Sequence, residues 1–329
     1  MIHAALVYAT DLSLWAKRHD AQAKLPQLIR RLVLASVART ERLHFRAHEG
    51  VSLEGWDGVV QVETGNAFVP DGVSGWEMGT NTGVKRKADG DYTKRSADPL
   101  GLDPTHTTFV FVTPRRFGDK EEWVTERRQE GCWKDVRFYD ADDLETWLEH
   151  TPAVHIWFSG VVGKHPVGME DLSRYWEEWS GVTQPRLSPE LVTVGRQNAV
   201  NKIQQWLRNE PSTLGVQAET LDEAVAFFAA ALHTMPEEER QQMFARSVVV
   251  EAAVVWRQLA TATTPLILIP TFVGRAGVLQ AARAGHHVLI PLGRNEPALG
   301  ETVQIPRARR KPAQKALQEM VSLASGPRR

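Results

Sequence analysis

The stretch best equipped for chemistry runs from Gly55-Trp56-Asp57-Gly58, through Ser74-Gly75-Trp76-Glu77-Met78-Gly79, to Lys85-Arg86-Lys87. It offers a carboxylate, a second carboxylate beyond a loop, and then a basic cluster. Hard oxygen donors of this kind suit Mg2+ or Mn2+, which keeps several waters and also takes phosphate oxygens. Such a cation lowers the pKa of a bound water and stabilises charge on a scissile phosphate. A lysine beside it can orient the water or screen the developing charge. Asp57 and Glu77 as metal ligands, with Lys87 or failing it Lys85, therefore make a minimal phosphodiesterase set. Asp20 and Glu49 are weaker candidates for an added ligand.

Each of these residues also has a plainer reading. An aspartate between glycines is common turn chemistry and needs no metal. Glu77 can be an ion-pair partner of Arg115 or Arg116, and the Lys85–Arg95 run can be a solvated helix face. The functional reading of the basic residues Lys85, Arg86, Lys87, Lys94 and Arg95, extended by Arg115 and Arg116, is a patch that follows DNA phosphates without reading sequence.

The elements around these residues follow from periodicity. Apolar Leu25, Leu28, Ile29, Leu32 and Val33 recur at helical spacing and predict a helix over Ala21–Thr40. Two strands are expected at His44–Val51 and Trp56–Glu63, then a loop over Thr64–Gly75 and a short strand near Trp76–Thr80. A helix over Arg86–Ser96, the buried strand Thr107–Val112, a helix over Asp119–Gly131, a strand at Val136–Tyr139 and a helix capped by Asp140 or Asp142 complete this half. The expectation is a mixed sheet flanked by helices.

A helix, a strand bearing Asp57, a strand bearing Glu77, then helix and strand, resembles the PD-(D/E)xK nuclease core, a restriction-endonuclease-like domain, over about residues 20–150. The resemblance implies a Mg2+-dependent DNA endonuclease. The family's lysine usually lies two residues after the acidic residue, where this chain has Gly79. Some members move that lysine to the neighbouring helix, and Lys87 is the residue placed for it, with Lys85 as the substitute. Without either, the domain is an inactive relative.

The second half alternates again, with helices over Arg196–Asn209 and Leu221–His233, strands at Leu214–Gln217, Ser247–Val255, Pro265–Ile269 and Val288–Pro291, and a helical stretch at Val273–Ala284. This predicts a three-layer α/β domain around a parallel sheet. It resembles a P-loop-like module that lacks a Walker A motif. A phosphate loop needs glycines, a lysine and a Ser or Thr, but the first strand here leads into Ala218-Glu219-Thr220-Leu221-Asp222-Glu223. No ATP hydrolysis is expected. The domain plan is 1–165, a Trp-rich helical connector 166–190, and 191–329, with a basic helix near Pro312–Ala324. A nuclease followed by such a module resembles STAND-type antiphage defence proteins of bacteria. That implies an effector that forms a homo-oligomer or joins a partner defence subunit. The chain stops at Arg329 without room for a recognition array, so a piece of a longer protein or one subunit of a system is expected. The competing class is a catalytically degenerate scaffold, which Gly79 and the missing phosphate loop favour.

Composition narrows the rest. The formal net charge is −1, so DNA binding has to come from a local patch rather than a global basic field. A single cysteine, Cys132, excludes an internal disulfide and suggests a reducing compartment. With no apolar run long enough to span a bilayer, a cytoplasmic protein is expected. The eleven histidines are read as structural rather than metal-ligating, and the tryptophans read as packing residues.

Overall fold

The computed structural model describes residues 6–46, 55–272, 277–298 and 300–307, together with 314 and 318. The chain divides into two units between His165 and Pro166. In the first unit the elements are helices α1 (Ala9–Trp15) and α2 (Ala21–Ser36), strands β1 (Arg42–Phe45), β2 (Gly58–Val62) and β3 (Gly72–Met78), helix α3 (Val84–Ala97), strand β4 (Thr107–Val112), helix α4 (Lys120–Gln129), strand β5 (Asp135–Tyr139), and helices α5 (Ala141–His150) and α6 (Pro152–Val161). The five strands lie side by side in chain order. The pairs β1/β2 and β2/β3 are antiparallel, whereas β3/β4 and β4/β5 are parallel.

The reasons are local. Strand β4, TTFVFV, is buried at every residue, as befits a central strand covered on both faces. One face of the sheet sends Phe109, Phe111 and Phe138 against Tyr92 of α3 and Trp123 of α4. The other face sends Trp76 and Tyr139 against Trp147 of α5. Within these layers Trp147 donates its N–H to Ser36 Oγ (2.7 Å), Trp123 to Asp89 (2.8 Å) and Trp133 to Ser96 (3.0 Å). Asp140 caps α5 by accepting from the N–H groups of Asp142 and Asp143.

The second unit begins with β6 (Met169–Asp171), α7 (Leu172–Ser180), α8 (Pro189–Thr193) and α9 (Gln197–Arg208). It continues with β7 (Thr213–Gln217), α10 (Leu221–His233), α11 (Glu237–Arg246), β8 (Ser247–Val250), α12 (Ala253–Leu259), β9 (Ile267–Pro270), α13 (Val278–Arg283), β10 (His287–Leu292) and β11 (Thr302–Gln304). Its six-stranded sheet has the order β11-β7-β10-β9-β8-β6. Every pairing is parallel except β6 with β8. Helix α10 is buried from Ala224 to Leu232, which explains its run of Ala and Phe.

The chain is thus α/β with two mixed sheets flanked by helices. Several expectations shift. The 166–190 stretch is not a separate connector: β6 pairs with β8, and Leu172 and Trp176 of α7 enter the second unit's core. The strand expected over Ser247–Val255 stops at Val250, and α12 takes the remaining valines. The valines on both sides of Glu251 read alike in sequence, and so short a run carries no period to separate strand from helix. Strand β3 starts at Gly72 rather than near Trp76, because Val73 and Ser74 pair with Gln61 and Val60 of β2. The expected sheet was purely parallel, but β6 joins its edge antiparallel. The predicted strand end at 47–51, with Glu49, the segment 273–276 and most of Pro312–Ala324 lie outside the described residues.

Candidate functional site

Sheet register brings the two carboxylates together. Gly58 pairs with Trp76 and Val59 with Gly75, so one further step sets Asp57 opposite Glu77. On the other side Phe45 pairs with Gly58, and the next step sets Arg46 opposite Asp57, whose carbonyl accepts the Arg46 N–H (3.0 Å). Glu77 pairs in turn with Phe111, and Phe111 with Phe138. Directly opposed residues share a face. Arg46, Asp57, Glu77, Phe111 and Phe138 therefore form one row, on the face that α3 and α4 cover.

Helix α3 delivers the cations. Val84, Ala88, Tyr92 and Arg95 point inward at helical spacing, Lys87 and Asp91 lie along the flank, and Lys85, Arg86 and Lys94 face outward. Arg95, only 4% exposed, is ion-paired with Glu77 and also donates to the Gly55 carbonyl. The Lys87 ammonium bonds Asp91 Oδ1 at 2.8 Å. The stem of Lys87 lies over Gly79: a Cβ built there would sit 2.9 Å from Lys87 Cγ. The space where a lysine at position 79 would start is thus taken by the lysine from the helix.

Asp57 Oδ2 accepts the Met78 N–H (2.8 Å), and the Glu77 carboxyl is within hydrogen-bond reach of Asp57. Burial raises the Asp57 carboxyl above its ordinary range, against the pull of those hydrogen bonds. Burial pushes Glu77 up to about 8, and the Asp57 charge acts in the same direction; Arg95 offsets only part of this. Burial also raises Asp91, opposed by Lys87. Asp91 Oδ2 is buried with no hydrogen-bond partner. Ionising all three carboxyls (Asp57, Glu77, Asp91) would outnumber the two cations that contact them (Lys87, Arg95), and the raised Glu77 carboxyl relieves this by keeping its proton at neutral pH. A cavity of about 70 Å3, bordered by Asp57, Gly79, Thr80, Lys87 and the Gln22–Pro26 turn of α2, opens beside Asp57. That volume holds an ion or about two waters.

Among the described residues, no group of three or more His, Cys, Asp or Glu side chains converges as a metal cage. Mg2+ does not require one, since it binds through one or two carboxylates and retains its waters. The adjoining carboxyls of Asp57 and Glu77 suit a divalent cation that would displace the Glu77 proton, although the small cavity is bordered by Asp57 and not by Glu77 or Asp91.

The expected basic patch does not assemble as one surface. Arg95 is inside, committed to Glu77, and a phosphate outside the protein cannot reach it. Glu77 has Arg95 as its partner in place of Arg115 or Arg116. Arg115 donates to the carbonyls of Thr80 (2.7 Å) and Ala16 (3.2 Å), and Arg116 is paired with Asp142 (2.9 Å). Asp20 is engaged by Arg18 and Lys24 and does not border the cavity. Lys85, Arg86 and Lys94 remain exposed. Sequence reasoning placed Arg95 in the DNA-binding patch rather than beside Glu77, and missed Asp91 altogether. Their spacing on α3 from Lys87 and Ala88 was the available signal.

In the second unit, strand β7 leads into the N-terminus of α10, where Thr220 accepts the Glu223 N–H (3.1 Å). Glu219 is paired with Arg294 (3.1 Å) and Arg307 (2.9 Å), while Glu223 holds Arg196 (3.2 Å) and accepts the Glu219 N–H. The anion position at this helix end is filled by the chain's own carboxylates. No helix among the described residues is long and apolar enough to cross a membrane. No known family matches the sequence, and no curated protein matches it.

Proposed function

We propose that the first unit is a metal-dependent DNA endonuclease of the PD-(D/E)xK, restriction-endonuclease-like type, serving as a cytoplasmic effector in prokaryotic antiphage defence. The observation that carries this reading is the buried carboxyl pair Asp57–Glu77, aligned by register on one face of the sheet, with a small cavity and Lys87 beside Asp57. Asp57 and Glu77 would hold Mg2+ or Mn2+, which when bound supplies a water acidic enough to attack phosphate and charge stabilisation for the product. Lys87 positions an ammonium at the cavity, and Asp91 fixes where that ammonium sits. Arg95 keeps the Glu77 side chain in place by holding one oxygen. The order of elements, α2 then three antiparallel strands, α3, β4, α4 and β5, supports the resemblance.

The second unit reads as a P-loop-like module that assembles or senses without hydrolysing ATP, in a homo-oligomer or with a partner defence subunit. The segment 218–223 that leads into α10 supports the absence of turnover, because it carries neither the glycines nor the lysine that a phosphate loop needs.

A second reading is supported by one observation: Lys87 and Glu77 are both already paired, as in a scaffold that has lost its chemistry. Supercoiled plasmid incubated with Mg2+ or Mn2+, with and without EDTA, separates the two. The endonuclease reading expects EDTA-sensitive nicking, reduced about 100-fold or more in Asp57→Asn and Glu77→Gln. Glu77→Gln is preferable to Glu77→Ala because the amide can still accept from Arg95. Intact plasmid after long incubation would leave the scaffold, and variants that cut as fast as the parent would remove Asp57 and Glu77 as the site.

A further inference from the structure

We propose that the exposed face of edge strand β1, carrying Arg42, His44 and Arg46, is the track that holds the DNA phosphodiester backbone and feeds it to Asp57 and Glu77. The proposal rests on the endonuclease reading and adds where its substrate lies. Residues two apart on a strand share a face and stand about 7 Å from one another. Arg42, His44 and Arg46 obey that spacing, and their partners on β2 are Gln61, Val59 and, one step on, Asp57. The basic row therefore lies on the same face as the carboxylates and ends beside them. Phe45 confirms the alternation, since it points the other way and packs on Trp76.

The row borders an open cleft of about 390 Å3. Arg42, His44 and Arg46 form one wall, Gly55 and Trp56 the floor, and the 100–102 loop the opposite wall. Among the described residues that line it there is no carboxylate. Arg42 and His44 are exposed. The floor connects to the site through Arg95, which bonds both the Gly55 carbonyl and Glu77. The opposite wall carries Leu100, 45% exposed and at a φ of 52°, a left-handed conformation unusual for a residue other than glycine. Such outliers concentrate where a backbone must present itself to a ligand. A chain with a net charge of −1 needs a local cationic run to attract DNA. On α3, Arg95 is turned inward and Lys87 is paired, whereas Lys85, Arg86 and Lys94 stay exposed.

The test measures binding without chemistry. Full-length protein is titrated into a fluorescent duplex in EDTA, and affinity is followed across about 50–200 mM salt. Each phosphate contact contributes a slope of about −0.9 in log affinity against log salt. The double variant Arg42→Gln/His44→Gln should weaken binding several-fold and flatten the slope by about one contact, and Arg42→Glu/His44→Glu should abolish binding. Arg116→Gln, on the far loop, should leave both quantities unchanged. Unchanged affinity and slope in the β1 variants, or no binding by the parent protein, overturns the track. The same proteins assayed on plasmid with Mg2+ separate the two claims. Binding that depends on β1 with no cleavage upholds the track and removes the hydrolase. Cleavage and binding indifferent to β1 uphold the hydrolase and remove the track.

Discussion

At the scale of single residues, the Glu77–Arg95 pair decides how the site is held. Both side chains are almost fully buried, so each is the other's main source of charge compensation. Removing one partner of a buried pair typically costs about 3–5 kcal/mol, because the survivor is left uncompensated. Arg95→Met should therefore lower stability by about that amount in urea titrations, and Arg95→Met combined with Glu77→Gln should recover most of the loss. A single-variant cost under about 1 kcal/mol would show that Arg95 is not what balances Glu77. This pair was not legible in the sequence. Arg95 reads there as one more member of a basic run, and only the inward turn of α3 at Val84, Ala88 and Tyr92 shows which cation is taken inside. Asp57 and Glu77, by contrast, could be singled out by residue type and by their position next to predicted strands.

At the scale of elements, helix α3 acts as a carrier that brings a lysine to the sheet from the side. Lys87 occupies the space over Gly79, so any side chain at 79 has to displace it. Lys87→Ala should slow plasmid nicking by about 100- to 10,000-fold, the range of a positioned proton-handling group. Gly79→Lys placed in the Lys87→Ala background should restore part of the rate, since the stem that blocked position 79 is gone. Failure of the double variant to exceed Lys87→Ala, with both folded by circular dichroism, would mean that the two positions do not serve one ammonium site. Several elements were readable in advance for physical reasons: β4 from its uninterrupted apolar run, α5 from Asp140 at its cap, α10 from its Ala and Phe content. Others were not. Strand β6 is three residues long and β11 likewise, too short for a period to register. The basic face of β1 did show as alternation at Arg42, His44 and Arg46, but a strand set at 44–51 cut the pattern in half.

At the scale of the whole molecule, acid sensitivity can be traced to a group far from the carboxylates. His155 accepts the Val7 N–H (2.9 Å), and burial lowers it to about 4. The folded chain keeps this imidazole neutral, while the unfolded chain takes up a proton below about 6.5. Folding stability contributed here is present above 6.5 and is lost as the pH falls towards 4, by up to about 1.4 kcal/mol per pH unit. Asp57 and Glu77 carry raised values and act with the opposite sign, so the informative quantity is the difference between parent and His155→Gln. Parallel stability-versus-pH curves for the two proteins between pH 4 and 6.5 would rule this origin out. The antiparallel pairing of β2 with β3 also governs how freely the chain can diverge. A hairpin counts its residues only as odd or even: sliding one strand by a single place turns every side chain to the opposite face. Residues 63–71, which join the strands, face no such arithmetic, and lengthening them raises the closure entropy only logarithmically. Descendants of this sequence can accordingly space their two acids at very different intervals and preserve the same geometry, so a motif written with a fixed gap passes over them.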